Sequence, residues 1–313
     1  MSKRYKNLIL VCLLALGVLS SARFFDDVDY WFMDIASNFA VQYAFIALML
    51  FSVCLWKKIF PMAVLAGLLF IFNADVLVDT GRSAQAAVRQ AETTFKVYSA
   101  NIHNSNNDLS GLSRKLREAD PDIAVLLEVT TEHAEQMRPA IQRYPYSIVN
   151  TSFASCGIGI VFLSKFPILS HQITKLSEHG NAIIEAELEI NKKPVMFYGV
   201  HAQRPGLDNF DERKEQFVIL ANKISNQTLP VIIAGDLNST PLTPNFRKLI
   251  NISGLRDSRT GFGWQPSWPT YFPFFWIPID HILVSPEVHV HNRATESRIG
   301  SDHYPISAEL SIN

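Results

Sequence analysis

The sequence predicts an α/β (α+β) domain built of two packed mixed β-sheets flanked by helices, preceded by three N-terminal transmembrane helices. Three observations predict it. First, 55 of the first 78 residues are apolar, about 71%, against about 40% in the rest. Second, from residue 95 onward short apolar strands alternate with amphipathic segments. Third, the strands are long and come in pairs with few helices between them, as in sheets packed face to face with helices outside. Over all 313 residues, 48% are hydrophobic, 18% are charged and the mean hydropathy is +0.10. An average soluble domain carries about 25% charged residues. These values exclude a simple cytosolic enzyme and a disordered chain, and their uneven distribution excludes a polytopic transporter. The remaining ~235 residues fit one large core.

The predicted spans are residues 8–22, 39–56 and 59–78, since a crossing helix needs about 20 apolar residues. The first has an apolar core at 8–19 followed by Ser20, Ser21 and Ala22, like the apolar region of a signal peptide. It is expected to be retained, because two further spans would anchor the chain; cleavage is the alternative. Lys3, Arg4 and Lys6 precede the first span, and Lys57 and Lys58 form the turn between the second and third. The intervening loop carries Asp26, Asp27, Asp29 and Asp34 against Arg23. Basic flanks face the cytoplasm, so the soluble domain is expected on the extracytoplasmic side. Cys12 and Cys54 fall in spans and Cys156 is alone in the soluble part, so no disulfide forms within that domain. Cys156 is expected to be a small buried residue on a strand.

Residues 79–94 form a polar linker, with one helical stretch around AQAAVRQA, that reaches about 50–55 Å if fully extended. The expected strands of the domain at 95–313 are 95–101, 122–128, 146–151, 157–163, 182–190, 194–201, 230–236, 278–285 and one near 305–312. The expected helices are 108–119, 131–142, 208–225 and 243–251, with breaks at Asp120–Pro121 and Thr240–Pro241. Residues 79–313 carry 22 basic and 24 acidic side chains. No basic phosphate-tracking surface is advertised.

Polar residues recur where apolar strands end, the place from which a rigid sheet projects site residues. They are Asn101, Glu128, His201, Asp236 with Asn238, Asp280, and the triplet Ser301–Asp302–His303. A hard cation such as Mg²⁺ takes one or two carboxylates plus water and phosphate oxygens, which Glu128 and Asp302 can supply. Asp236 can orient and deprotonate a water for in-line attack, while a carboxylate-oriented imidazole stabilises phosphoryl charge. Asp236 and Asn238 are two apart, so on an extended strand end they face the same side. Each residue alone is a weak signal, because strand-terminal Asp and Asn are common turn formers. His103, His133, His171, His179, His289 and His291 are taken as surface or local packing residues.

As an ordered set, these residues carry a family likeness. The segments SANIHN (99–104), DIAVLLEV (122–129), YGVHAQRP (198–205), IIAGDLNSTP (232–241), PIDHILVS (278–285) and GSDHYPI (300–306) resemble the endonuclease/exonuclease/phosphatase superfamily, with its DNase I-like fold. A closer likeness is to bacterial members with an N-terminal membrane unit and a segment like GFGWQPSWP ahead of PIDH. The resemblance covers about 95–313. It implies a four-layer sandwich, a Mg²⁺- or Mn²⁺-dependent phosphoesterase, and a home in the bacterial inner membrane. It implies that Asn101 and Glu128 serve the metal and phosphate, and that Asp302 completes the metal site. Asp236 and Asn238 would handle the attacking water and scissile phosphate. His201 would contact the phosphate or leaving group and Asp280 would orient His303; which histidine is the general acid stays open. His281, beside Asp280 on the strand, faces the other way and is expected to be structural.

The superfamily handles many phosphoesters, so the fold does not choose a substrate. Residues 262–276 hold eight aromatics in 15 positions. Trp264 and Trp268 are expected to pack the domain, but the run 271–276 is hard to bury in one loop. Aromatic rings favour the membrane interface and exposed apolar patches mark binding surfaces. A lipid phosphate is therefore the favoured substrate, with Arg204, Trp268, Phe274, Phe275 and Trp276 as candidate contacts. Stacking on single-stranded nucleic acid is the first alternative. Soluble phosphoesters and a non-catalytic membrane-anchored binding module are the others. The bilayer is the expected partner, and the sequence implies no protein partner.

Overall fold

The structure is a computed structural model that describes residues 2–25, 31–79, 93–151 and 159–312. Asp26, Asp27 and Asp29, the linker from 80 to 92, and Cys156 lie outside the described residues.

The N-terminal unit consists of α1 (Lys3–Ser21), α2 (Trp31–Ser37), α3 (Ala40–Trp56) and α4 (Phe60–Asp79). The expectation of three independent spans needs correction. Among the described residues, only the first, Lys3–Phe24 including a final 3₁₀ turn, is long and apolar enough to cross a membrane by itself. The second reaches that length only together with α2, across a 71° bend. The 17 residues of α3 rise only about 26 Å, short of a ~30 Å hydrocarbon core. Small residues Ala47, Ala63 and Ala66 are buried inside the unit, whereas Val11, Leu14, Phe45, Met49, Val64 and Leu68 point outward with more than half their surface exposed.

All the contacts described between this unit and the domain lie at one end. The start of α3 and the end of α4, through Ala40, Val41 and Val76, pack with Leu242 and Trp264. Gln42 Nε2 donates to the Trp276 carbonyl at 3.2 Å, and Asn38 Oδ1 accepts the Thr240 N–H at 2.9 Å. The C-terminal half of α1 meets this same end, where Asn73 Nδ2 donates to Ser20 Oγ at 2.9 Å. The Lys57–Lys58 turn therefore lies at the opposite end.

In the domain the chain runs β1 (Phe95–Asn101), α5 (Ser110–Ala119), β2 (Ile123–Val129), α6 (Thr131–Gln136), α7 (Arg138–Ile141), β3 (Tyr146–Asn150) and β4 (Gly159–Ser164). It continues through β5 (Ile168–Lys175), β6 (Ala182–Ile190), β7 (Lys193–His201), α8 (Phe210–Ser225), β8 (Val231–Asp236), α9 (Pro244–Ser253), β9 (Arg256–Asp257), β10 (Asp280–Val284), β11 (Val288–Thr295) and β12 (Ile306–Ile312). One six-stranded sheet has the order β11-β12-β1-β2-β4-β3 and the other β5-β6-β7-β8-β10-β9. Both are mixed: β1 with β2 and β7 with β8 are parallel, and the other pairs are antiparallel. Val97, Val125, Phe162, Ile184, Phe197, Ile232 and Ile282 fill the space between the sheets. On the outer faces α8 and α9 bury Phe217, Leu220 and Leu249, and α5, with the α6–α7 region, buries Leu112, Leu116 and Met137. The result is four layers: helices, sheet, sheet, helices.

The predicted strands agree with those observed to within a residue or two, and three more appear: β5, β9 and β11. All three are sheet edges. An edge strand pairs on one side only and need not be an apolar run; β5, ILSHQITK, is exposed or half-buried over its whole length, and β11, VHVHNRAT, breaks its alternation at a bulge between Val290 and Asn292. The helix expected at 131–142 is broken at Met137, with Pro139 in the first turn of the second piece, where a missing N–H costs nothing.

Candidate active site

The strand ends that carry the predicted residues meet at one edge of the sandwich. β1 and β2 deliver Asn101 and Glu128 from one sheet, and β7, β8 and β10 deliver His201, Asp236 and Asp280 from the other. In register, Asp236 stands beside His201 on one neighbour and Asp280 on the other. Gly235 makes this possible. Its φ is +152°, and a Cβ there would fall 1.8 Å from the Val200 carbonyl oxygen. Glu128 ends its apolar strand at a bulge in the β2–β4 pairing with φ +60°, and His103 and Asn238 share the left-handed region at +62° and +50°. Non-glycine residues held there are commonest where structure serves a site.

The side chains form one network. Asn101 Nδ2 donates to Glu128 Oε1 at 3.0 Å and to Asp236 Oδ2 at 3.1 Å. His201 Nε2 lies 3.9 Å from Glu128 Oε1 and 3.8 Å from Asp236 Oδ2. His303 approaches the same Asp236 oxygen with Nε2 at 3.8 Å and bonds Asp280 Oδ2 through Nδ1 at 2.8 Å. The Asn238 N–H donates to Asp236 Oδ1 at 2.7 Å, and Asn238 Nδ2 donates to the Ala202 carbonyl at 2.9 Å. Ser301 Oγ donates to the Asn101 carbonyl at 2.8 Å and so ties the Ser301–His303 loop to β1.

Burial, together with the Asp280 carboxylate on the next strand, pushes Asp236 up to about 6, against the pull of His303 and His201. Burial works against a charged His303, but the Asp280 and Asp236 carboxylates prevail and hold it protonated up to about 10. Burial also opposes a charged Glu128. The His201 charge, the Asn101 amide and the Asn104 N–H outweigh it and hold Glu128 below the usual carboxylate range. A proton acceptor and a cationic imidazole thus face each other across 3.8 Å.

Two groups of ligand-type atoms could hold a cation. Asp236, Asp280 and His303 bring such atoms within 4.8 Å of one another. A histidine held protonated by a 2.8 Å bond to Asp280 has no lone pair to give, so this trio is better read as a proton-handling unit. Glu128 and Asp302 are partly open and converge on the same side of His103, whose Nδ1 is 3.8 Å from Glu128 Oε2 and 3.5 Å from Asp302 Oδ1. With Asn101 they make an oxygen-rich set suited to a hard divalent cation.

The substrate-binding candidates divide. Trp268 donates from Nε1 to Asp302 Oδ2 at 3.1 Å, so it orients a carboxylate rather than merely packing. Phe274 and Phe275 are exposed, as are Tyr271 and Phe272. The Trp276 ring stacks edge-on against Tyr304 at 6.1 Å, and its indole N–H is buried without a partner. Arg204 is exposed and its side chain is not drawn into the network; its carbonyl accepts from Asn209. His281 does face away, bonding the Ser239 carbonyl at 2.8 Å. Sequence reasoning, which expects His103 to be a surface or local packing residue, misses its place beside Glu128 and Asp302, and it also misses Arg213 and Asp34. Asp34, expected among the acids of the loop between two apolar runs, is buried against Arg213.

Residues 98–303 match the model of the endonuclease/exonuclease/phosphatase family. The chain belongs to that family of phosphoric ester hydrolases. No curated protein matches it by sequence. Among solved structures it is similar to an endonuclease/exonuclease/phosphatase family protein from Bacteroides thetaiotaomicron, with 20% identity and TM-score 0.59 over 71% of this chain and 99% of that one. It is also similar to D. rerio TDP2 complexed with a single-strand DNA product (17%, TM-score 0.59, 70% and 100%) and to a Bacteroides thetaiotaomicron mannosyl-6-phosphatase (19%, TM-score 0.58, 70% and 100%). At these identities the likeness carries the fold.

Proposed function

We propose that this protein is a membrane-tethered, divalent-metal-dependent phosphoesterase that acts on an amphiphilic, lipid-type phosphate by in-line attack of water. The observation that carries the chemistry is the convergence of Asn101, Glu128, His201, Asp236 and His303 within 3.0–3.9 Å of one another's polar atoms. Glu128, Asp302 and Asn101 are assigned to hold Mg²⁺ or Mn²⁺, which when bound supplies a Lewis acid to the phosphoryl oxygens. Asp236 Oδ2 accepts the proton of the attacking water, and the Asn238 N–H holds the other carboxylate oxygen so that Oδ2 stays aimed. His303, fixed by Asp280, presents a positive Nε2 to the charge that grows on the phosphoryl group. His201 stands on the other side of Asp236, where it can contact the phosphate or leaving group.

Two features support the membrane and the lipid. Exposed Tyr271, Phe272, Phe274 and Phe275 lie next to the N-terminal helices, with the Phe275 and Phe39 rings 6.1 Å apart edge-on. The helices themselves present large apolar side chains outward, as lipid-facing surfaces do. Lys57 and Lys58 sit at the end of the helical unit away from the domain. By the positive-inside bias this favours an extracytoplasmic domain on the bacterial inner membrane.

The test uses the full-length protein in detergent with Mg²⁺, Mn²⁺ or EDTA. Its substrates are a phospholipid monoester in vesicles, polyprenyl pyrophosphate in micelles, bis-p-nitrophenyl phosphate and single-stranded DNA. EDTA-sensitive turnover that favours the amphiphiles is expected. Strong DNA cleavage without lipid turnover overturns the substrate, and no EDTA-sensitive turnover of any of them overturns the enzyme.

A further inference from the structure

The helical unit reaches further into the domain than a tether needs to. Asp34 of α2 is almost completely buried, and its Oδ2 lies 3.2 Å from Nε of the equally buried Arg213 on α8. Its other oxygen accepts from Asn245 Nδ2 on α9 at 3.4 Å. Arg213 spends the rest of its guanidinium on backbone: it donates to the carbonyls of Gln203, of Leu237 at 3.4 Å and of Asn238 at 2.8 Å. Four residues beyond Asp34, Asn38 takes the N–H of Thr240 at 2.9 Å. The unit therefore holds the segment 237–240 directly at Thr240 and, by supplying the counterion of Arg213, indirectly at Leu237 and Asn238; this segment leaves β8 immediately after Asp236.

A guanidinium without water needs a fixed anion. Burial pushes Arg213 down, and Asp34 is the first of the charges that oppose this. Loss of the Asp34 charge would leave Arg213 buried and unpaired, free to gain only by rotating towards water and releasing the carbonyls it holds.

We infer that Asp34 and Arg213 are positioning residues of the active site, through which the N-terminal unit fixes the segment 237–240, and with it the Asn238 side chain and the Asn238 N–H on Asp236. This rests on Asp236 and Asn238 being catalytic. Activity is then tied to the docked state of the membrane unit, and a domain cut free of residues 1–78 keeps its two sheets but loses the alignment of Asp236.

The experiment compares full-length wild type and Asp34→Asn in detergent by hydrogen exchange and by kinetics. Amide exchange in 237–243 should speed up about tenfold or more while that of β1, β2 and β8 is unchanged. In kinetics kcat should fall roughly 10- to 100-fold with KM unmoved, as for a small misplacement of reacting groups. Asp34→Glu should restore part of kcat. Asp75→Asn, which breaks the Arg23–Asp75 pair elsewhere in the unit, should change neither readout. If Asp34→Asn does not fold, Asn38→Ala takes its place, with faster exchange at Thr240 expected. Unchanged exchange in 237–243, or acceleration spread over the whole domain, overturns the inference. A wild type without turnover overturns the catalytic reading, and the exchange measurement still decides whether the unit holds the segment.

Discussion

Replacing Phe274 and Phe275 together by Ser tests whether the aromatic loop delivers substrate from a bilayer. The two rings are 53% and 44% exposed, together about one whole aromatic side chain, or roughly 200 Å². Full burial in lipid would be worth about 5 kcal/mol at 25 cal/mol per Å². Rings lying against an interface bury about half of that, so the double substitution should cost ~2.5 kcal/mol, roughly 60-fold in affinity. The assay measures turnover of a phospholipid monoester in vesicles beside turnover of bis-p-nitrophenyl phosphate. KM for the vesicle substrate should rise by that factor, with kcat/KM for the soluble ester unchanged, because neither ring is part of the network around Asp236. Equal loss on both substrates, or loss on neither, refutes the reasoning.

Three further outcomes are expected. Asp236→Ala should lower kcat by about 10²–10⁴, the range for loss of a positioned base, and full turnover in that variant would remove the assigned role. Trp268→Phe deletes the N–H that orients Asp302 and should weaken Mn²⁺ binding roughly 10- to 100-fold, as read by titration calorimetry. Asp280→Asn should destabilise the metal-free protein by about 3–5 kcal/mol by leaving His303 without its partner. Because the fold raises His303 from an ordinary 6.5 to about 10, the stabilisation is fully present below about pH 6.5 and is lost as pH rises towards 10. The gap in Tm between wild type and Asp280→Asn should therefore be widest near pH 6 and close by pH 10; a gap independent of pH would count against the charged pair.

Much of the domain was legible because interior strands must be apolar on both faces and end abruptly. DIAVLLE announces both β2 and the carboxylate at its end, and PVIIAGD does the same for β8 and Asp236. The edge strands β5 and β11 were not legible, since β5 is exposed or half-buried over its whole length and a bulge between Val290 and Asn292 interrupts the alternation of β11. His103 was lost for a related reason: nothing in one dimension distinguishes a loop histidine at the surface from one folded back by a left-handed turn onto Glu128 and Asp302.

The membrane unit shows the division most sharply. Its composition is written in the first 78 residues, because apolar content is a sum over the chain and needs no geometry. Whether the second apolar run makes one straight span was decided by the 71° bend between α2 and α3, which depends on where the helix breaks. What Asp34 does was decided only by the tertiary structure. In sequence it is one more acid between two apolar runs; in space it is the counterion of Arg213, 179 positions away. The sequence by itself determined the strand-end polar set and the family, since local pattern and motif order carry them. Which of those groups come within ion-pair or hydrogen-bond reach of one another, and which distant residue is buried beside them, depended on distances that only the packing of two sheets and a docked helix could set.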